Sequence, residues 1–105
     1  MKLMGIDYGL RRVGIAVTDE QGLAIRGLTT IDRRKNPDLI AAILSLIKQE
    51  KPETLVIGLP LDIDMAETVM SKEVRSFAEK LQISSGLPVN FVDESYSSKK
   101  AAELM

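Results

Sequence analysis

A mixed α/β fold is predicted, a five-stranded sheet in the order 3-2-1-4-5 with helices on its faces, and three observations predict it. Residues 2–8 and 12–19 are near-continuous apolar runs around a short glycine-containing segment, the pattern of a hairpin of buried strands. Two later segments carry apolar residues at helical spacing, and each is followed by a short apolar, β-type run. Parallel strands need helical crossovers, so such units appended to a hairpin demand a mixed sheet.

Each element has its own signal. After the hairpin, Thr18-Asp19-Glu20-Gln21-Gly22 supplies turn chemistry and leads into a weaker third strand over residues 23–30. A polar break over residues 33–37 follows, with Pro37 suited to the first turn of a helix because its missing N–H needs no partner there. Leu39, Ile40, Ile43, Leu44 and Ile47 form the apolar stripe of that helix, which the Lys51-Pro52 step stops. Residues 54–58 (TLVIG) read as a buried strand.

Residues 58–64 (GLPLDID) form a loop, and Asp64 with Glu67 has the form of a capping box for a second helix. Its stripe is Val69, Met70, Val74, Phe77, Ala78 and Leu81, ending near Gly86. A fifth strand is expected over residues 87–92 (LPVNFV), and Ser97 or Ser98 would cap a last helix. The order β-β-β-α-β-α-β-α, with right-handed crossovers, sets the fourth strand beside the first and the fifth beyond it.

Composition limits the chemistry. At 105 residues the chain is expected to be one domain, residues 1–105. It has no cysteine and no histidine, which excludes thiol nucleophiles, disulfides and imidazole acid-base catalysis. Any metal would be held by oxygen, which favours hard cations such as Mg²⁺ or Mn²⁺. No stretch approaches the length of a membrane span and no signal-peptide core opens the chain, so a cytoplasmic protein without a membrane partner is expected. The net charge of −1 argues against a general nucleic-acid coat protein, which needs a broad basic face, and leaves local groups at Arg11-Arg12, Arg33-Arg34-Lys35 and Lys99-Lys100 that matter only if the fold brings them together.

The acidic residues carry the functional signal. Asp7 lies late in an apolar strand where a charge is least expected, Asp62 and Asp64 follow the fourth strand, and Asp93-Glu94 follow the fifth. Ligand sites in open α/β sheets lie at the carboxyl ends of the strands, so these acids would converge there. Neighbouring carboxylates repel unless a divalent cation neutralises them, and such a cation supports phosphodiester hydrolysis without histidine. Asp62 and Asp64 read better as helix-capping residues, and Asp93 equally as a turn cap or a site residue, whereas Asp7 and Glu94 have no local structural role.

GIDYGLRRVGIAVTD, VIGLPLDIDMAET with VRSFAEKL, and VDESYSSKKAAELM together resemble the YqgF/RuvX family of RNase H-like bacterial proteins. That family is described as Holliday junction resolvases and as nucleases maturing the 5′ end of pre-16S rRNA. The resemblance implies an RNase H-like fold and metal-dependent endonuclease chemistry on pre-rRNA or branched DNA. It implies Asp7 and Glu94 as catalytic metal ligands, Asp93 as the accompanying acid, and Arg75 and Phe77 as packing and charge features. Leu10, Met65 and Ser95 depart from its pattern. Family members extend further, to a final helix carrying a third catalytic aspartate, so that helix is expected to be incomplete here. An apolar sheet face left bare in this way would favour a homodimer.

Three readings follow. In the first, Asp7 and Glu94 hold Mg²⁺ or Mn²⁺, Gly9 lets the hairpin turn tightly, and Arg11, Arg12, Lys99 and Lys100 neutralise phosphates of a nucleic acid. In the second, Asp-x-Gly is the phosphate-binding turn of a sugar-kinase or actin-type ATPase, which needs a second lobe. In the third, the chain is a non-catalytic nucleic-acid- or protein-binding module, or a degenerate nuclease lacking the third catalytic carboxylate.

Overall fold

A computed structural model describes residues 1–59 and 69–93. Its elements are β1 (Leu3–Asp7), β2 (Arg12–Thr18), β3 (Ile25–Asp32), α1 (Leu39–Glu50), β4 (Thr54–Leu59), α2 (Val69–Ser85) and β5 (Val89–Asp93). The five strands form one sheet in the order β3-β2-β1-β4-β5, as expected. The β1–β2 and β2–β3 pairs are antiparallel, and β4 joins β1, and β5 joins β4, in parallel. The last helix expected from Ser97 or Ser98, and the capping box of Asp64 and Glu67, lie outside the described residues.

The period of two along the strands decides which face is covered. Met4, Ile6, Val13, Ile15, Val17, Leu55, Ile57 and Leu59 alternate onto one face and are buried. The register aligns them into rows, Met4 with Val17 and Leu55, Ile6 with Ile15 and Ile57. Leu39 and Ile43 of α1 and Val74, Phe77, Ala78 and Leu81 of α2 close on these rows in one hydrophobic cluster. Each such side chain contributes roughly 1.5–3 kcal/mol when fully buried. Both described helices therefore cover the same face, rather than one on each.

The other face carries Gly5, Asp7, Gly14, Ala16, Val56 and Gly58, residues between the buried ones in each strand. Strand residues alone line its concavity. Among the described residues no helix covers this side, and small side chains occupy it, with Asp7 at its end.

Three boundaries differ from the periodicity, each for a local reason. β3 runs two residues later than expected because Asp19 holds the preceding turn: its Oδ1 accepts from Gln21 N at 3.1 Å and Leu23 N at 2.9 Å, and its own N–H donates to Ala24 O. At its other end Arg33 N donates to Arg11 O at 2.9 Å, so the β2–β3 hydrogen bonding continues to the polar break. α1 begins at Leu39, with Pro37 ahead of it, because Asp38 is the N-cap and accepts from Ala41 N. β5 begins after Pro88, which has no N–H to donate and offers its carbonyl to Leu55 N instead.

The C-terminus of α1 is stopped as the Lys51-Pro52 step implies. Lys51 adopts a left-handed conformation, φ 54° and ψ 53°, and its N–H donates to Ile47 O. Immediately before it, Glu50 accepts from Lys2 Nζ at 3.2 Å and Arg26 Nη2 at 3.0 Å, linking the end of α1 to the residue ahead of β1 and to β3.

Candidate active site

Asp7 is the last residue of β1, and its place follows from alternation. Ile6 points into the core, so Asp7 lies on the open face, where its side chain is exposed. Its backbone pairs with Gly14 of β2. A β-carbon added at Gly14 would stand 3.6 Å from Cβ of Asp7, ordinary contact, so any larger side chain there would shade the carboxylate. Among the described residues the Asp7 carboxylate has no hydrogen-bond donor and no ion-pair partner. An exposed, unpaired acid at the carboxyl end of the central strand is free to take a ligand from solvent.

The β1–β2 turn beside it is tightly built. A β-carbon at Gly9 would overlap the carbonyl oxygen of Arg12, so only glycine fits. Arg33, from the loop after β3, spans the turn: its Nη1 donates to Gly9 O at 3.0 Å and to the Tyr8 hydroxyl at 3.2 Å. The same guanidinium lies 5.1 Å from the centre of the Tyr8 ring, and that ring packs 4.8 Å from Phe77 of α2. Phe77 thus anchors the hairpin tip, and Arg75 lies over the Phe91 ring of β5 at 5.2 Å.

Asp93 is the last residue of β5 rather than the first after it, and its backbone pairs with Leu59. The register sets Ile6, Ile57 and Phe91 in one row across β1, β4 and β5. Asp7 and Asp93 therefore stand at the same carboxyl edge, two strand spacings or roughly 10 Å apart across the sheet. Glu94, Lys99, Lys100, Asp62 and Asp64 lie outside the described residues. Among the described residues no group of three or more metal-capable side chains is assembled. The donor chemistry at this edge is oxygen only, which matches a hard divalent cation in kind.

Arg11 and Arg12 stand exposed at the hairpin tip. Arg34 is there as well, brought by the β2–β3 pairing of Arg12 with Asp32. Arg11, Arg12 and Arg34 line one depression with Asp32 and Leu10. The sequence signal for Arg34 was its place in the Arg33-Arg34-Lys35 group; the strand register makes that group local to Arg11 and Arg12.

Among the described residues no helix is long and apolar enough to cross a membrane. The family model for RuvX, described as Holliday junction resolvase, matches residues 1–105. A protein of Syntrophus aciditrophicus named "Putative pre-16S rRNA nuclease" is 37% identical over 105 residues, covering 100% of this chain and 70% of its own length. One of the same name from Oleidesulfovibrio alaskensis is 43% identical over 103 residues, covering 98% of this chain and 72% of its own. Among solved structures, Thermus thermophilus RuvC in complex with a Holliday junction substrate is similar with a TM-score of 0.64 at 17% identity, over 90% of this chain and 65% of that one. That likeness is one of fold, and the fold is RNase H-like.

Proposed function

The chain belongs to the RuvX family of resolvases and nucleases, and from that premise we propose that it is a metal-dependent endonuclease that hydrolyses phosphodiester bonds of pre-16S rRNA or branched DNA. The observation that carries this reading is Asp7: an exposed, unpartnered carboxylate at the carboxyl end of the central strand of an RNase H-like sheet. Asp7 and Glu94, with Asp93, would hold Mg²⁺ or Mn²⁺. Bound there, the metal would supply charge neutralisation at the phosphate and ease the loss of a proton from the water that serves as nucleophile.

The rest of the work falls to the protein's own groups. Asp7 sits on a backbone pinned by β2 on one side, so its carboxylate presents from a rigid strand end rather than a loop. Arg11 and Arg12, and Lys99 and Lys100, would neutralise neighbouring phosphates and hold the strand to be cut. The bare, small-residue face beside Asp7 leaves room for a nucleotide to approach its carboxylate. That RuvC was solved with a Holliday junction, and that relatives are named for pre-16S rRNA, supports a structured nucleic acid as the substrate.

The test is cleavage of a pre-16S rRNA 5′ precursor and of a four-way DNA junction, with Mg²⁺, with Mn²⁺ and with EDTA, by the chain and by Asp7→Asn. Cleavage that needs the metal and is lost in the variant is expected. Cleavage that survives EDTA, or an Asp7→Asn chain as active as its parent, would sink the proposal. Tight binding with no cleavage under any metal would instead identify a non-catalytic binding module.

A further inference from the structure

The arginines of the described residues divide by what they do. Arg26 pairs with Glu50, Arg33 is committed to the Tyr8 hydroxyl and the turn carbonyls, and Arg75 lies over Phe91. Arg11, Arg12 and Arg34 remain: all three are exposed, and among the described residues none of their guanidinium groups makes an ion pair or hydrogen bond. They share one depression.

The register fixes where this depression lies. Arg12 is two residues from Gly14 on β2 and so projects from the same face, and Gly14 is the partner of Asp7. Arg12 is therefore displaced from the Asp7 row by about 7 Å along the strand, and the depression it shares reaches across the sheet edge to Met70 of α2. One acid shares the depression, Asp32, whose Oδ1 accepts from Arg34 N at 2.9 Å and thereby holds the Arg34 backbone in place. Three guanidinium groups against one carboxylate leave the tip positive in a chain whose net charge is −1.

Self-repulsion of three unpaired cations is unfavourable in the free protein and is relieved by an anion that spans them. A guanidinium forks onto phosphate oxygens in two parallel hydrogen bonds. We infer that Arg34 is a third phosphate contact, which with Arg11 and Arg12 grips consecutive phosphates of a nucleic-acid backbone beside Asp7. This rests on the nucleic-acid reading of the site and extends it to a residue from a separate loop. Arg33, its neighbour, is held back from that role because its Nη1 is engaged by the Tyr8 hydroxyl and the Gly9 carbonyl.

Counterion release gives the test. In a cleavage-silent Asp7→Asn chain with Mg²⁺, affinity for a four-way DNA junction and for a single-stranded RNA is measured from about 50 to 200 mM salt, for the parent, Arg34→Ala, Arg34→Lys and Lys48→Ala. Lys48 is an exposed cation of α1 and controls for net charge. Arg34→Ala is expected to flatten the slope of log K against log salt by about 0.9 on duplex DNA, or about 0.7 on single-stranded RNA, and Arg34→Lys to restore it. The substrate on which the slope flattens identifies the backbone that the group grips.

A slope unchanged in Arg34→Ala, or flattened equally by Lys48→Ala, overturns the inference, as does a parent chain that binds neither probe. Thermal melting of each variant separates lost contact from lost fold: a slope flattened by Arg34→Ala in a chain that melts with its parent and restored by Arg34→Lys supports it, and one that Arg34→Lys does not restore counts against it. Metal-dependent cleavage by the unsubstituted chain with an unchanged Arg34→Ala slope leaves the nuclease reading standing and removes this one. A flattened slope without any cleavage does the reverse.

Discussion

Arg33 and Tyr8, 25 residues apart, lock together: the guanidinium donates to the Tyr8 hydroxyl at 3.2 Å and its carbon lies 5.1 Å from the ring centre. The same group bonds the Gly9 carbonyl, and Tyr8 leans on Phe77 of α2. One side chain therefore fixes the hairpin tip against the helical layer.

Removing it should be felt in stability. Arg33→Ala loses charge-assisted hydrogen bonds and the ring contact, and is expected to cost about 1–2 kcal/mol, read from urea denaturation. Arg33→Lys keeps the cation but not the planar fork and should recover only part of this. A fully stable Arg33→Ala chain would contradict the clamp.

Gly9 and Gly14 should respond differently to the same change. Gly9→Ala drives a β-carbon onto the Arg12 carbonyl, and the backbone must shift, at an expected cost of about 1–3 kcal/mol. Gly14→Ala makes only an ordinary contact with Asp7 and should leave the melting temperature within a few degrees of the parent. Its effect belongs on the chemistry, as reduced cleavage at unchanged stability. Equal melting temperatures for both variants would show that the turn does not need glycine.

Glu50 gives the chain a pH-dependent tie. The hydrogen bond from Lys2 leads in holding its carboxyl below the usual carboxylate range; burial opposes this, and Gln49 and the charges of Lys2 and Arg26 add to it. A group whose folded value is depressed stabilises the fold above its unfolded value and loses that contribution as pH falls. The difference in urea midpoint between the chain and Glu50→Gln should therefore be full at neutral pH and close as pH drops below about 4.3. A gap that does not change with pH would mean that the ionised carboxylate plays no part.

What the sequence made legible follows from how local each signal is. Asp7 stood out because a charge interrupts an apolar run, and the fold sets it on the carboxyl edge where such a break has a use. The helices were legible because α1 and α2 carry apolar stripes at helical spacing, and β1, β2 and β4 because each is a short apolar run. β3 was weakest: five of its eight residues are exposed, and its start is set by the Asp19 turn, not by its own pattern. Pro37 was expected inside the first turn but lies two residues ahead of Leu39, because Asp38 caps through geometry that spacing alone does not distinguish.

The Arg33 clamp and the approach of Arg34 to Arg12 were illegible for another reason. Both depend on the pairing of Arg12 with Asp32 across strands, and a run of basic residues before a helix looks the same whether it is solvated or gathered. Likewise, Gly5, Gly14 and Gly58 are visible in the sequence, but that both described helices choose the opposite face is a tertiary fact.

The sheet order also sets a sequence of assembly. β1, β2 and β3 close through short turns, so their loop-closure cost is small, whereas β4 and β5 pair only after the chain has travelled through α1 and then α2. Asp7 and the basic hairpin belong to the quickly closing meander, and Asp93 to the strand that docks at the end of the longest excursion. Pulse-labelled amide exchange during refolding should find protection in β2 and β3 before β5; simultaneous protection would refute that order. A nascent chain would then display its arginines before its acidic edge is complete, able to hold a nucleic acid earlier than it could cut one.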